Sequence, residues 1–149
     1  MTTSPLITIG VPVYNAAAHL GSTLESLLAQ TFTDFELIVS DNASTDATRE
    51  IVEDYLHRDS RIRYERHALN IGANGTYASL VRLARGTLFK WSAASDWCAP
   101  TFLERCKNEL LAHEDTVLVA PRTRLFEESP AEYQDYEGDL EVLDETPFG

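Results

Sequence analysis

The stretch LITIGVPVYNAAAHLGSTLESLL, residues 6–28, joins a predicted strand to a predicted helix. Its first nine residues are rich in β-branched side chains and carry no charge, which is typical of a strand buried on both faces. Asn15 follows as the expected N-cap of the helix. Four leucines then recur at helical spacing and form one apolar stripe: Leu20, Leu24, Leu27 and Leu28. A buried strand that leads into an amphipathic helix predicts the first half of a βαβ unit.

The alternation of strand and helix patterns continues as far as residue 121. Further strands are predicted in FELIVSD (35–41), RIRYERH (61–67), TLFKWS (87–92) and TVLVAP (116–121). Amphipathic helices are predicted in residues 42–56, before Gly86 and after Pro100. Strands that alternate with helices of about 10 to 15 residues predict an α/β fold. We therefore expect a mostly parallel sheet with helices on both faces.

The negative charge of the chain is concentrated towards its end. The formal net charge of the 149 residues is −12. Nine acidic residues and no Lys or Arg follow Phe126, whereas residues 1–126 contain 15 acids and 12 bases. No basic stripe is present that could neutralise the phosphates of a nucleic acid, so nucleic-acid binding is not expected. The length is that of one domain.

The sequence contains no recognisable targeting or membrane-spanning segment. No window approaches about 20 consecutive apolar residues, and the N-terminus lacks a basic region followed by an apolar run. Cys98 and Cys106 lie eight positions apart, a spacing that matches no metal motif. We expect two free thiols and a cytoplasmic protein without a membrane span, which leaves peripheral association with a membrane open.

Polar residues follow the ends of four predicted strands. They are Asn15, then Asp41 and Asn42, then Asn70, then Ser95 and Asp96. Because ligands of open parallel sheets bind outside the carboxyl ends of the strands, we expect these side chains to face one ligand site. Each of them alone is equally typical of an ordinary turn or helix cap, and that interpretation stays open.

The first strand-to-helix connection lacks a glycine-rich phosphate loop. VPVYNAAAHLG, residues 11–21, matches neither the dinucleotide motif GxGxxG nor a P-loop. If this sheet binds a nucleoside diphosphate, the phosphate charge must be met by a cation or by Arg and Lys from elsewhere. Asp96 is then the candidate ligand, because a carboxylate can hold Mg²⁺ or Mn²⁺ against phosphate oxygens.

Three motifs together resemble one protein family. They are PVYN (12–15), QTFTDFELIVSDNASTD (30–46) and the strand-end aspartate of SDWCAPTFLE (95–104). Over about residues 6–125 the chain resembles the nucleotide-sugar-binding half of family 2 glycosyltransferases, which have the Rossmann-like GT-A fold. The resemblance implies transfer of a sugar from a UDP- or dTDP-type donor to an unknown acceptor hydroxyl, with inversion and with Mg²⁺ or Mn²⁺. A catalytically inactive sugar-nucleotide-binding or interaction module is the alternative.

The resemblance also assigns roles to individual residues. It makes Pro12, Val13 and Tyr14 the wall against the nucleobase, Asp41 an acceptor of a hydrogen bond from the base, and Asp96 the metal ligand. Together with the strand-end residues, the predicted donor-binding set is Pro12, Val13, Tyr14, Asn15, Asp41, Asn42, Asn70, Ser95 and Asp96. Two departures from the family pattern stand out. Ser95 occupies a position where the family usually has another acid, and Tyr77 lies near the place where many members carry an arginine.

The general base that an inverting transfer needs cannot be identified in this sequence. In the family that base lies well past the metal motif, within the region that forms the acceptor pocket. None of the acids after residue 126 aligns with it, so the catalytic residue is unknown. We expect residues 1–126 to form the nucleotide-sugar-binding domain and residues 127–149 to be an acidic tail or the start of a truncated acceptor-binding region.

Overall fold

The computed structural model describes residues 4–121, 123–127 and 130–135, and its centre is a four-stranded parallel sheet. The strands are β1 (Ile7–Val13), β2 (Phe35–Asp41), β3 (Ile62–Arg66) and β4 (Leu88–Trp91). Their order in the sheet is β3-β2-β1-β4, and Ile7 of β1 lies opposite both Phe35 and Leu88. The predicted α/β fold with a parallel sheet is confirmed.

Helices cover both faces of this sheet. They are α1 (Leu20–Leu28), α2 (Thr48–Arg58), α3 (Gly72–Leu83) and α4 (Phe102–Ala112). Alternate residues of β1, such as Ile9 and Val11, are fully buried in one core with residues of α1, α2 and α4. Gly10 faces α3 on the other side, where an added Cβ would lie 2.8 Å from the Phe89 ring and 3.2 Å from Leu80 Cβ. A side chain at Gly10 would therefore separate α3 from the sheet.

The prediction of a strand in residues 116–121 is wrong. This segment is irregular, and Val117 and Leu118 are 94% and 79% exposed. A β-branched run becomes a strand only where another strand pairs with it and a layer covers it, and the described residues supply neither here. Instead β5 (Arg124–Phe126) pairs antiparallel with β6 (Tyr133–Asp135). The predicted boundary between residues 126 and 127 falls inside this two-stranded sheet.

A buried carboxylate fixes the amino-terminal edge of the sheet. The side chain of Glu36, the second residue of β2, is 4% exposed. It accepts hydrogen bonds from the Thr8 hydroxyl, from Arg63 and from both the side chain and the backbone N–H of Arg85. Burial alone would raise the pKa of Glu36, but the hydrogen bonds from Arg85, Arg63 and Thr8 outweigh it and lower the pKa to about 2. This network joins β1, β2, β3 and the end of α3.

The helices are short. Among the described residues no helix is both long and apolar enough to cross a membrane, and α3, with 12 residues, is the longest of the four.

Candidate functional site

A cavity of about 280 Å³ lies at the carboxyl ends of the strands. The strand order reverses at β1, with β2 on one side and β4 on the other, and ligands of open α/β sheets bind in the crevice at such a point. Five of the predicted donor-binding residues line this cavity: Pro12, Val13, Tyr14, Asn42 and Asn70. A larger open groove of about 520 Å³ lies between α1 and α2, away from the strand ends. The smaller cavity is the candidate site because residues at the carboxyl ends of all four strands line it.

The loops after β1 and β2 are joined by hydrogen bonds through Asn15. The Asn15 N–H donates to Ser44 Oγ at 2.9 Å, and the Asn15 side-chain oxygen accepts from the Thr45 N–H at 2.8 Å. The prediction of Asn15 as a helix cap is wrong, because α1 begins at Leu20 with His19 as its N-cap. Asn15 and Ala43 both have positive φ, 49° and 63°, a conformation that is unusual outside glycine. Such backbone strain clusters at functional sites.

Asp41, at the end of β2, is completely buried. Its Oδ1 accepts from the Ser44 N–H at 2.8 Å, and its Oδ2 accepts from the Tyr64 hydroxyl at 2.6 Å and from Arg66 Nε at 3.3 Å. Burial alone would raise the pKa of Asp41, but the hydrogen bonds from Ser44 and Tyr64 outweigh it and hold that pKa below its ordinary value. Because the carboxylate is completely buried, a nucleobase can contact it only if one of the groups around it, such as Tyr64 or Arg66, moves. Its predicted contact with the base stays a prediction.

Two asparagine amides connect the loops after β2 and β3. Asn42 Nδ2 donates to Asn70 Oδ1 at 2.9 Å, and Asn42 Oδ1 accepts from the Ile71 N–H at 2.7 Å. The Gly72 N–H also donates to Asn70 Oδ1, at 2.9 Å. Asn42 is buried, whereas Asn70 is exposed and lines the cavity. The pair therefore holds the start of α3 against the strand ends.

Asp96 lies on an exposed turn next to the cavity. Its N–H donates to the Ala93 carbonyl at 3.1 Å, and its Oδ2 accepts from the Ala93 N–H at 2.9 Å. Among the described residues no donor bonds to its other oxygen, Oδ1. Ala93 and Ala94 line the cavity, whereas Ser95 and Asp96 are exposed beside it. One carboxylate oxygen is thus available at the rim.

Side chains of α1, and of Gln30 just after it, hold the loop that carries Asp96. The Thr23 hydroxyl donates to the Ala94 carbonyl at 2.9 Å, Ser26 Oγ accepts from the Cys98 N–H at 3.2 Å, and Gln30 Nε2 donates to the Ala99 carbonyl at 2.9 Å. The side chains of Thr23, Ser26 and Gln30 are all buried. Because these bonds span about 70 positions of the chain, the sequence pattern alone could not predict the placement of the turn.

A single carboxylate such as Asp96 fits a cation whose other ligands are waters and the phosphates of the substrate. In the part of the chain that the structure describes, no group of three or more His, Cys, Asp or Glu could form a metal cage. Mg²⁺ commonly takes one or two carboxylates together with waters and substrate phosphates, and Asp96 Oδ1 can serve as one such ligand.

Sequence reasoning missed the contribution of α3 to the cavity. Ala73, Thr76 and Tyr77, which lie three to four positions apart on one helix face, line it. Tyr77 contacts Trp91, with ring centroids 6.1 Å apart, and Trp91 packs edge to face on Phe89 at 4.9 Å. These ring contacts extend an aromatic cluster from the cavity along β4. Trp91, within this cluster, is 48% exposed.

Comparisons with known proteins agree with this fold. Residues 8–145 match the sequence profile of glycosyl transferase family 2. The chain belongs to this family, as the sequence resemblance predicted. An uncharacterized glycosyltransferase of Bacillus subtilis (strain 168), EpsJ, is 34% identical over 105 residues, which cover 70% of this chain and 30% of EpsJ.

Solved structures with the same architecture bind nucleotides. S. aureus TarS in complex with UDP superposes with a TM-score of 0.68 at 25% identity, over 72% of this chain and 32% of the TarS chain. A mannosyltransferase from Pyrobaculum calidifontis, PcManGT, solved with GDP-Man and Mn²⁺, shares the fold with a TM-score of 0.58 at 24% identity, over 63% of this chain and 28% of that chain. This chain thus spans about a third of the length of these proteins.

Proposed function

We propose that this protein is the donor-binding part of an inverting glycosyltransferase that uses a UDP- or dTDP-type sugar nucleotide and an acceptor hydroxyl. The observation that carries the proposal is the cavity at the switch point of the sheet, because Pro12, Val13, Tyr14, Asn42 and Asn70 converge there. In this proposal residues 1–126 bind the donor, and residues 127–149 belong to a tail or to the acceptor side. The protein acts in the cytoplasm, where peripheral contact with a membrane could present the acceptor.

The base of the nucleotide occupies the cavity between the end of β1 and the start of α3. Tyr14 is 52% exposed and lines the cavity, so its ring is accessible for stacking on a base. Pro12 and Val13 form the apolar wall beside it. Asn15 and Asp41 support this arrangement through their hydrogen bonds to the loop at Ser44 and Thr45. Asn42 and Asn70 provide the polar groups.

The diphosphate lies towards Asp96, which would hold Mg²⁺ or Mn²⁺ through its free Oδ1. When bound, the cation neutralises the charge that develops on the departing nucleoside diphosphate. Ser95, exposed next to Asp96, can exchange hydrogen bonds with a ribose hydroxyl. Asp96 itself is held in place by its turn to Ala93, so it needs no rearrangement before the donor binds.

A donor-binding module without turnover is the second candidate. It is favoured by the sparse set of metal ligands, since the described ranges contain no group of three or more His, Cys, Asp or Glu residues that could hold a metal ion. Both candidates bind the same nucleotide. Hydrolysis or transfer of the sugar from a UDP-sugar distinguishes them, because only the enzyme releases UDP.

Calorimetric titration of the protein with UDP, with and without Mn²⁺, tests the proposal. We expect saturable binding with a stoichiometry of one that tightens when Mn²⁺ is present. Substitution of Tyr14 by Ala should weaken it, since base–aromatic stacking contributes about 1–3 kcal/mol. If UDP does not bind in either condition, or if Tyr14→Ala leaves the affinity unchanged, the proposed site is wrong.

Ser95→Asp is expected to strengthen Mn²⁺-dependent UDP binding by about tenfold. The substitution adds a negative charge beside Asp96 and restores the acid that the family usually has at this position. Partners that support a metal ligand commonly change affinity by about 10- to 100-fold. Calorimetry with UDP and Mn²⁺ measures the effect, and the same titration without Mn²⁺ is the control, where added charge should weaken binding. An equal affinity for wild type and variant in Mn²⁺ would mean that Ser95 points away from the cation.

A further inference from the structure

We propose that Gln30 is a positioning residue for Asp96: its side-chain amide fixes the loop that presents the Asp96 carboxylate, the proposed cation ligand. The inference rests on the proposed function, because it assigns the placement of that ligand to a residue outside the cavity. Gln30 is the first residue of the motif QTFTDFELIVSDNASTD, and neither the predicted donor-binding set nor the cavity lining includes it. Three observations carry the proposal: the irregular loop around Asp96, the hydrogen bonds of the Gln30 amide and the burial of that amide.

The position of the Asp96 carboxylate depends on the loop that carries it. Residues 92–101 form neither helix nor strand. The hydrogen bonds of the Asp96 N–H and of its Oδ2 both end on Ala93, within the same loop. These bonds shape the turn, but they do not attach it to the rest of the protein. Contacts elsewhere in the loop therefore determine where the carboxylate lies relative to the cavity.

Gln30 attaches the loop on the C-terminal side of Asp96. Its Nε2 donates to the Ala99 carbonyl at 2.9 Å and to the Ser26 carbonyl, in α1, at 3.1 Å. A longer contact of 3.4 Å joins Nε2 to the Cys98 carbonyl. The amide nitrogen thus connects the loop to the end of α1 across about 70 positions of the chain.

The amide oxygen of Gln30 holds the start of the helix that follows the loop. Gln30 Oε1 accepts from the Leu103 N–H at 3.0 Å. Leu103 lies in the first turn of α4, where backbone N–H groups have no partner within the helix. The side chain of the N-cap, Thr101, makes no capping hydrogen bond, so Gln30 supplies the acceptor instead. Because a backbone N–H only donates, this contact also fixes which end of the amide is the oxygen.

Burial makes these hydrogen bonds decisive for the loop. The Gln30 side chain is 4% exposed, so water does not replace its bonds while the loop stays in place. On the other side of Asp96, the Thr23 hydroxyl donates to the Ala94 carbonyl at 2.9 Å. Asp96 therefore lies between two attached segments, and its carboxylate is held in place before any ligand binds. Such preorganisation avoids the cost of ordering the loop when the cation and the nucleotide bind.

Gln30→Met tests this role by calorimetry with UDP, once with Mn²⁺ and once with a chelator. Methionine is unbranched and of similar length, but it donates nothing to the loop carbonyls and is only a weak acceptor for the Leu103 N–H. We expect the affinity for UDP in Mn²⁺ to fall by about tenfold, as is common for residues that support a metal ligand. The affinity in the chelator should stay as in wild type, because the residues that Gln30 contacts do not line the cavity.

Val52→Ala is the matched control for lost stability. Val52 lies in α2, is fully buried and does not line the cavity, so its truncation lowers stability through lost packing. The folded control should keep the full gain in UDP affinity from Mn²⁺. A merely structural role for Gln30 would give the same result in Gln30→Met. Thermal unfolding verifies that both variants are folded and compares their losses of stability.

Hydrogen exchange of the Leu103 amide in wild type is a second test, and it needs no variant. If cation binding at Asp96 depends on the bonds of Gln30, cation binding must in turn favour those bonds, because coupling between two sites is reciprocal. With UDP and Mg²⁺, which is diamagnetic, the Leu103 amide should exchange about tenfold more slowly than with UDP alone. The Val52 amide, within α2, should exchange at the same rate in both conditions.

The results separate the role of Gln30 from the proposed function. A full gain in affinity from Mn²⁺ in folded Gln30→Met, or equal losses of affinity with and without Mn²⁺, overturns the role of Gln30 while the proposed function stands. Unchanged exchange of the Leu103 amide overturns it as well, even if Gln30→Met does not fold. If Mn²⁺ brings wild type no gain in affinity, both this role and the assignment of Asp96 as cation ligand are wrong. Failure of wild type to bind UDP in either condition overturns the proposed function itself.

Discussion

Glu36→Gln is expected to lower the free energy of unfolding at pH 7 by about 3 kcal/mol. Every group that contacts the Glu36 carboxylate donates: the Thr8 hydroxyl, Arg63, and the side chain and backbone N–H of Arg85. An amide NH₂ in either orientation would face one of these donors, and the charge that the arginines neutralise would be gone. We choose the lower end of the usual range for broken buried pairs because Arg63 and Arg85 are partly exposed and can regain water.

Urea denaturation at constant pH measures this effect, with Glu53→Gln as the matched control. Glu53 forms an ion pair with Arg49 on the exposed side of α2, where such a pair contributes at most about 1 kcal/mol. The difference between the losses of unfolding free energy in the two variants measures the effect of burying the ion pair. If Glu36→Gln costs no more than Glu53→Gln, the network does not hold the edge of the sheet.

The same carboxylate makes the stability dependent on pH. Its pKa falls from an ordinary 4.5 to about 2 in the folded protein, so its contribution is fully present above pH 4.5 and is lost as the pH falls from there towards 2. A difference of this size corresponds to roughly 3 kcal/mol. The difference in the free energy of unfolding between wild type and Glu36→Gln should therefore decrease below pH 4.5. A gap that stays constant down to pH 3 would contradict the lowered pKa.

Asp96→Asn is expected to remove the tightening of UDP binding by Mn²⁺. We expect Mn²⁺ to increase the affinity of wild type for UDP by about 10- to 100-fold, the range typical of residues that support a metal site. The affinity of the variant for UDP should be almost the same with and without Mn²⁺. Asparagine is the sharper substitution because its side-chain oxygen can still accept from the Ala93 N–H and preserve the turn. Only the charge and one metal-binding oxygen are lost.

Calorimetry with UDP, once with Mn²⁺ and once with a chelator, measures this increase in affinity. Asp115→Asn is the control, since Asp115 is exposed, lies outside the cavity lining and differs from Asp96 in having no role in the proposed site. Without Mn²⁺, Asp96→Asn should bind UDP as tightly as wild type or more tightly, because a negative charge next to the diphosphate has been removed. A full Mn²⁺ increment in Asp96→Asn would exclude Asp96 as the ligand.

The parts of the fold that depend on local patterns could be predicted from the sequence. The buried strand from Ile7 to Val13, the leucine stripe of α1 and the regular alternation of elements each follow from side chains within one segment. The meeting of the strand ends then follows from the geometry of a parallel sheet. For this reason the sequence predicts one ligand site for Tyr14, Asn42 and Asn70, and all three line the cavity.

The features that depend on distant contacts could not be predicted in the same way. Residues 116–121 have the composition of a strand, but pairing and cover decide whether a strand forms. Asn15 can cap a helix or bridge two loops, and the nearby loop at Ser44 and Thr45 decides between them. The burial of Asp41 depends on Tyr64 and Arg66, which lie more than 20 positions away.

Paramagnetic broadening by Mn²⁺ in the NMR spectrum of the UDP-bound protein tests the site most directly. Small additions of Mn²⁺ should first broaden the backbone amide signals of residues 93–96, then those of Asn70 and Tyr77. The signals of Glu50 and Asp54, in the groove between α1 and α2, should keep their intensity. Broadening centred on that groove, or broadening that does not depend on UDP, would contradict a donor site at the strand ends.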